Sequence, residues 1–250
     1  MRVTIGIGRR SLPKPLSLLR FKAVALDPSY PLAHAALADA WSALGYDGKA
    51  VEEARKAYQL AESLSAEDKR SVEGRYRAMT RDWKKAIEVY HSLVALYPDN
   101  LDYQLRLAAA QTSGAKAREA LATLDSLRAL AAPAGKDPRI DVEAANAWHA
   151  LGDFKHMEEA LESAATNAQA FGDQLLLAQA RSQQCFAWRF LGKQENAIAA
   201  CREAQRIYSA SGDRGGEADT LRRLGDVLSD SDVAVSRPLS PYPNVWWVCD

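Results

Sequence analysis

The chain has 250 residues, 48% hydrophobic and 26% charged, with Lys plus Arg equal to Asp plus Glu at 32 each. That balance leaves no overall field to steer nucleic acid or an anionic membrane surface. No run of about 18 apolar residues occurs, so nothing in the sequence reads as a membrane span.

Residues 1–15 read as an irregular N-terminal segment. Arg9, Arg10 and Lys14 give it a superficial likeness to a twin-arginine export signal, but Arg20 and Lys22 break the apolar stretch that should follow. Leu16 to Leu26 has helical spacing and stops at Asp27 and Pro28, because proline disfavours helix at the residue before it. Pro31 opens a helix carrying Leu32, Ala36, Leu37, Ala40, Trp41 and Leu44, and Gly45 ends it. Lys49 to Leu64 forms the partner helix, with Val51, Ala54, Tyr58 and Leu60 inward.

A helix from Lys69 to Met79 pairs with one from Trp83 to Leu96, whose Ala86, Ile87, Tyr90, Leu93 and Val94 make an apolar stripe. Leu101 to Leu130 forms a further pair that turns at Ser113 and Gly114. Residues 131–138, with Pro133, Gly135 and Pro138, form a joint that reads as a hinge. The last units lengthen: Gly152 to Gly192 and Gly172 to Gly212 are each 40 residues apart. Leu224, Gly225 and Asp226 fall in the first helix of a final unit. After Leu228 that pattern ends, and residues 230–250, with Pro238, Pro241 and Pro243, read as a disordered proline-rich tail. Both ends cut through a unit, as in a segment of a longer array.

One phrase recurs along this path. Trp41, Leu44 and Gly45 return as Trp148, Leu151 and Gly152, then as Trp188, Leu191 and Gly192. The last two copies lie 40 residues apart, and the first precedes the second by 107. That interval is about three units of the 34-residue period of helix-turn-helix repeats. The tryptophans read as packing groups wedged between helices.

Little in the chain suggests catalysis. Gly6 and Gly8 lack the third glycine and the following helix of a phosphate loop. His156 and Glu158 lack a second histidine at metal-ligand spacing. Glu52 with Glu53, and Glu158 with Glu159, point about 100° apart on a helix and share no face. Cys185, Cys201 and Cys249 are an odd set without paired spacing, which argues against a disulfide framework and a zinc site. Cys185 and Cys201 fall in small-residue slots and read as buried core thiols.

The repeated phrases resemble the tetratricopeptide repeat over residues 16–229. Leu37, Ala38, Trp41, Ala50 and Ala57 match it in the first complete unit, and Gly74, Ala86, Tyr90 and Pro98 in the next. Leu107, Ala108 and Ala120 match in the third, Trp148, Leu151, Gly152 and Phe154 in the fourth, and Cys185, Trp188, Ala197 and Ala204 in the fifth. The resemblance implies an all-α, right-handed superhelical solenoid of antiparallel helix pairs, about five to six units with incomplete terminal ones. It also implies a non-catalytic scaffold, without cofactor or metal, that binds a peptide or partner helix in a concave groove lined by first helices. In register, the groove should present Asp39, Arg75, Asn146, Gln179, Ser182, Arg189, Arg222 and Asp226. Ala35 and Asp39 stand where some family members carry a Lys and Asn clamp, and Val142 fills the lysine slot before Asn146, so no chaperone clamp is expected.

Residues 63–74 and 84–88 look like arrays at the C-terminal end of bacterial winged-helix regulators or serine/threonine kinases. That likeness implies an alternative role as the sensory or oligomerising arm of a signalling protein. The expected partners are proteins or peptides, with self-association through the incomplete terminal repeats, and with neither nucleic acid nor membrane. The expected location is cytoplasmic, or extracytoplasmic if the parent is a membrane-anchored kinase.

Overall fold

A computed structural model describes residues 22–236, with side chains to residue 230. The N-terminal segment and the proline-rich stretch after 236 lie outside the described residues. Residues 22–26 are helical, and eleven further α-helices follow: α1 (Pro31–Ala43), α2 (Asp47–Leu60), α3 (Ala66–Met79), α4 (Trp83–Leu96), α5 (Leu101–Ser113), α6 (Ala117–Arg128), α7 (Pro138–Leu151), α8 (Phe154–Ala170), α9 (Gln174–Phe190), α10 (Gln194–Ser211) and α11 (Arg214–Ser236). No strand occurs among the described residues.

The helix boundaries follow local chemistry. Ser65 Oγ accepts from the Asp68 amide, and the Asn100, Asp137, Asp153 and Asp173 side chains likewise accept an amide of their first turn. Pro31 and Pro138 sit at first-turn positions, where proline loses no hydrogen bond. The turns inside units, and the last two turns between units, use one left-handed residue, which is Gly45, Gly152, Gly172, Gly192 or Gly212. In two units that place falls to Arg81 and Ala115, at φ 61° and 62°. This is where the glycine of the repeated phrase is missing from the sequence.

Neighbouring helices pack antiparallel as α1–α2, α3–α4, α5–α6, α7–α8 and α9–α10, with α11 against both α9 and α10. The result is the all-α, right-handed superhelical solenoid that the sequence implies. Small residues set the spacing: Ala108, Ala120, Ala144, Ala164, Ala178 and Ala204 are wholly buried and let the helices approach closely. One apolar cluster runs from Leu105 to Tyr208, so the core is continuous across residues 131–138. Arg139 Nη1 also reaches back over that joint to Asp102 at 2.7 Å.

Two features depart from the sequence reading. Cys185 and Cys201 are not free thiols but a disulfide (S–S 2.06 Å) joining α9 to α10. Their separation of 16 residues spans the end of α9, a tight turn and nearly half of the return helix. That places two small slots of one unit face to face, a pairing invisible to a search for short cysteine motifs. Second, α11 does not stop after Leu228 but continues to Ser236, so residues 230–236 are helical and not part of an irregular tail.

Gly74 and Gly225 hold the same slot in their units but meet opposite surroundings. A Cβ on Gly74 would lie 2.8 Å from the Tyr90 ring, which is buried and cannot retreat. A Cβ on Gly225 would meet nothing within 4 Å. Gly74→Ala should therefore cost about 2 kcal/mol through overpacking. Gly225→Ala should stabilise by about 0.5–1 kcal/mol, since only the entropy of a helical glycine changes. Equal shifts in the two denaturation midpoints would contradict this arrangement.

Candidate functional site

First helices touch the first helix of the next unit, in the pairs α1–α3, α5–α7, α7–α9 and α9–α11, whereas second helices hardly meet their successors. The stack therefore curves with its first helices on the inner wall. Near the N-terminal end, three first helices converge on one carboxylate. Arg75 Nη1 of α3 donates to Asp39 Oδ2 of α1 at 3.0 Å, and Arg106 Nη2 of α5 donates to the same oxygen at 3.3 Å. Arg75 and Asp39 are each 26% exposed at the side chain, and Arg106 is 35% exposed. Burial opposes the Arg106 charge, but Asp39 and the Tyr90 hydroxyl outweigh it and hold its pKa above the ordinary guanidinium value. Asp39 and Arg75 are brought together where the repeat register puts them. The sequence analysis does not single out Arg106; its only signal is a charge set between the inward leucines Leu105 and Leu107.

The remaining groove residues fall on α7, α9 and α11 and do not join that cluster. Asn146 is half-buried and donates to Glu143 at 3.1 Å. Gln179 is half-buried on α9. Ser182 is buried and accepts from Thr220 Oγ1 at 3.0 Å. It ties α9 to α11 and is closed to a ligand, because the longer units lay α11 over that turn of α9. Arg189 pairs with Asp230 at 2.6 Å and with Asp226 at 3.6 Å, while Arg222 pairs with Asp219 and Asp226, both at 2.9 Å.

Between them lies an aromatic patch that sequence reasoning missed. Phe154 and Phe190 stack at 4.5 Å, Phe186 meets His149 edge-on at 5.1 Å, and Arg223 lies over the Phe186 ring at 5.3 Å. Phe190 remains 54% exposed. Desolvation in this patch lowers the His149 pKa, and Arg223 lowers it further. The unfolded chain then binds a proton more readily than the folded one. The stability tied to His149 is present above the ordinary imidazole value and is lost as pH falls through the folded value. The melting temperature should therefore begin to drop as pH falls below about 6.5, and less steeply in His149→Phe, above the window where carboxylates titrate. Parallel curves for the two proteins would exclude His149 as the source.

The repeated tryptophans are half-buried and not sealed in the core. Lys49 Nζ sits 4.3 Å from the Trp41 ring centre, and Trp188 Nε1 donates to Glu158 Oε1 at 2.6 Å, where Lys193 also binds at 2.7 Å. They brace the turn between the two helices of a unit. No cluster of His, Cys, Asp or Glu among the described residues could hold a metal ion. No described helix is long and apolar enough to cross a membrane.

No protein-family model matches the sequence, and no curated protein matches it. Solved structures do. The chain is similar to a thermophilic TPR (tetratricopeptide repeat) protein of Thermus thermophilus, with TM-score 0.61 and 18% identity over 80% of this chain and 99% of that one. It is similar to a Rap protein complexed with Competence and Sporulation Factor, with TM-score 0.65 and 13% identity over 88% of this chain and 70% of that one. It is also similar to a STAND signal-transduction ATPase with a tetratricopeptide repeat sensor from Pyrococcus horikoshii, with TM-score 0.58 and 13% identity. There the match covers 88% of this chain but only 38% of the other. The fold is that of the tetratricopeptide-repeat solenoids.

Proposed function

We propose that the chain is a non-catalytic protein-interaction scaffold that holds an extended peptide or a partner helix along its wall of first helices. The observation that carries this reading is the convergence of Asp39, Arg75 and Arg106, from three successive first helices, onto one surface. Polar groups gathered from residues 36 and 67 apart in sequence offer a ligand several contacts in one line, which is how stacked repeats recognise extended partners. The aromatic patch at Phe186 and Phe190 adds a place for an apolar side chain further along the same wall. A Rap protein of this fold was solved with Competence and Sporulation Factor bound, which accords with the reading. The tetratricopeptide repeat sensor of the STAND protein favours a second role, as the sensory arm of a larger signalling protein.

Photo-crosslinking tests the wall. A benzoylphenylalanine at Phe190 or Arg222, on first helices, should capture partner protein from the native host, whereas one at Glu159 or Arg202, exposed on second helices, should not. Adducts formed only from Glu159 and Arg202 would move the binding surface to the outer face.

A further inference from the structure

We propose that the Asp39, Arg75 and Arg106 cluster is a binding site for an acidic side chain of the bound peptide, Asp or Glu, and so fixes the ligand class of the groove. The inference rests on the groove reading and goes beyond it by naming the chemistry recognised. Two guanidiniums face one carboxylate, which leaves one positive charge in excess. Both donate to a single oxygen, Asp39 Oδ2, through one nitrogen each. A guanidinium carries five N–H donors in a fork that suits two-point pairing with a carboxylate. Neither arginine is saturated by that arrangement. The Arg75 Nε is buried without a hydrogen-bond partner, so Asp39 matches only part of the Arg75 donor fork.

Neighbouring acidic groups do not fill the deficit. Glu73 is engaged by Arg77, Glu67 by the Tyr103 hydroxyl, and Asp102 by Arg139. Asp39 and the buried Tyr90 both favour the Arg106 charge. The three side chains keep 26% to 35% of their surface open. An incoming carboxylate would meet the exposed Nη side of Arg75 and share Arg106 with Asp39. The pairing is partly exposed, so salt should weaken it.

The test is selection of a phage-displayed random decapeptide library on the full chain, on Arg75→Gln with Arg106→Gln, and on Arg75→Lys, each checked for unchanged helicity. Peptides selected on the unaltered chain should be enriched in Asp and Glu. The enrichment should vanish on the double glutamine variant and persist on Arg75→Lys, which keeps the charge. Replacing the selected Glu by Gln in a lead peptide should weaken its Kd about tenfold, a readout that needs no altered protein. Peptides that bind without acidic enrichment, or acidic peptides that bind the double variant equally well, would overturn this inference and leave the groove reading standing. Failure to select any peptide, together with crosslinks confined to the outer face, would overturn the groove reading itself.

Discussion

Asp141→Ala should cost about 3 kcal/mol, as expected when one partner of a buried charged network is removed. Asp141 lies on α7 between Ile140 and Val142, and its side chain is only 8% exposed. Four donors meet it. Arg128 Nε and Nη2 reach Oδ1 at 2.9 and 2.8 Å, and Ser163 Oγ and Asn167 Nδ2 reach Oδ2 at 2.7 and 3.2 Å. The carboxylate thus joins the end of α6 to α7 and α8, across the joint at 131–138. Removing it takes the shared acceptor from exposed Ser163 and half-buried Asn167, and it leaves a hole at the buried Asp141 position between α6, α7 and α8. Arg128 suffers less. It is 34% exposed and keeps Asp125 at 2.8 Å, so its share is discounted for solvent screening. Ser163→Ala, which leaves the ion pair intact, should cost about 1 kcal/mol, and the two losses should not add. Chemical denaturation of the three variants checks this. A loss below about 1 kcal/mol for Asp141→Ala would mean that water replaces the carboxylate and that the joint is open to solvent.

The fold was legible because it is written several times. Proline at helix starts, glycine at left-handed turns and alanine at close approaches each recur, so the unit length survives local drift. Even the missing glycines are informative: Arg81 and Ala115 take the left-handed turn because packing on either side dictates it. The groove was legible only in part. Register places Asp39 and Arg75 on the inner wall, since that needs only a helical count. It does not show that Arg106 spans two units to reach the same oxygen, because that depends on superhelical curvature. Register equally misplaces Ser182, since the longer C-terminal units slide α11 over it, and it says nothing of Phe186 and Phe190, whose stacking with Phe154 and His149 depends on neighbouring helices. Asp141 was silent for a related reason: its partners come from α6 and α8, and no spacing within α7 announces them.

The cysteine pair gives the second large effect. Cys185→Ala with Cys201→Ala, or reduction of the native protein, should lower stability by about 3 kcal/mol, the chain-entropy value for a closed loop of roughly 15 residues. The cross-link acts on the unfolded chain, so helicity of the folded protein should be unchanged. Alanine suits both positions, because the slots are small and lined by Ala197, Ala200 and Val227. The location of the loss is as telling as its size. In a stack where units touch only their neighbours, weakening one unit is felt locally. Hydrogen exchange should therefore quicken in α9, α10 and the α11 helix packed on them, while α1 to α6 keep their protection. Thiol titration in denaturant without reductant should find one free thiol per chain, Cys249, and three after reduction. Three thiols before reduction would restore the reading of Cys185 and Cys201 as core thiols. Because the bond joins two helices of a single unit, it leaves the spacing between units alone. Peptide binding at the Asp39, Arg75 and Arg106 end should then be the same in oxidised and reduced protein at temperatures where both are folded.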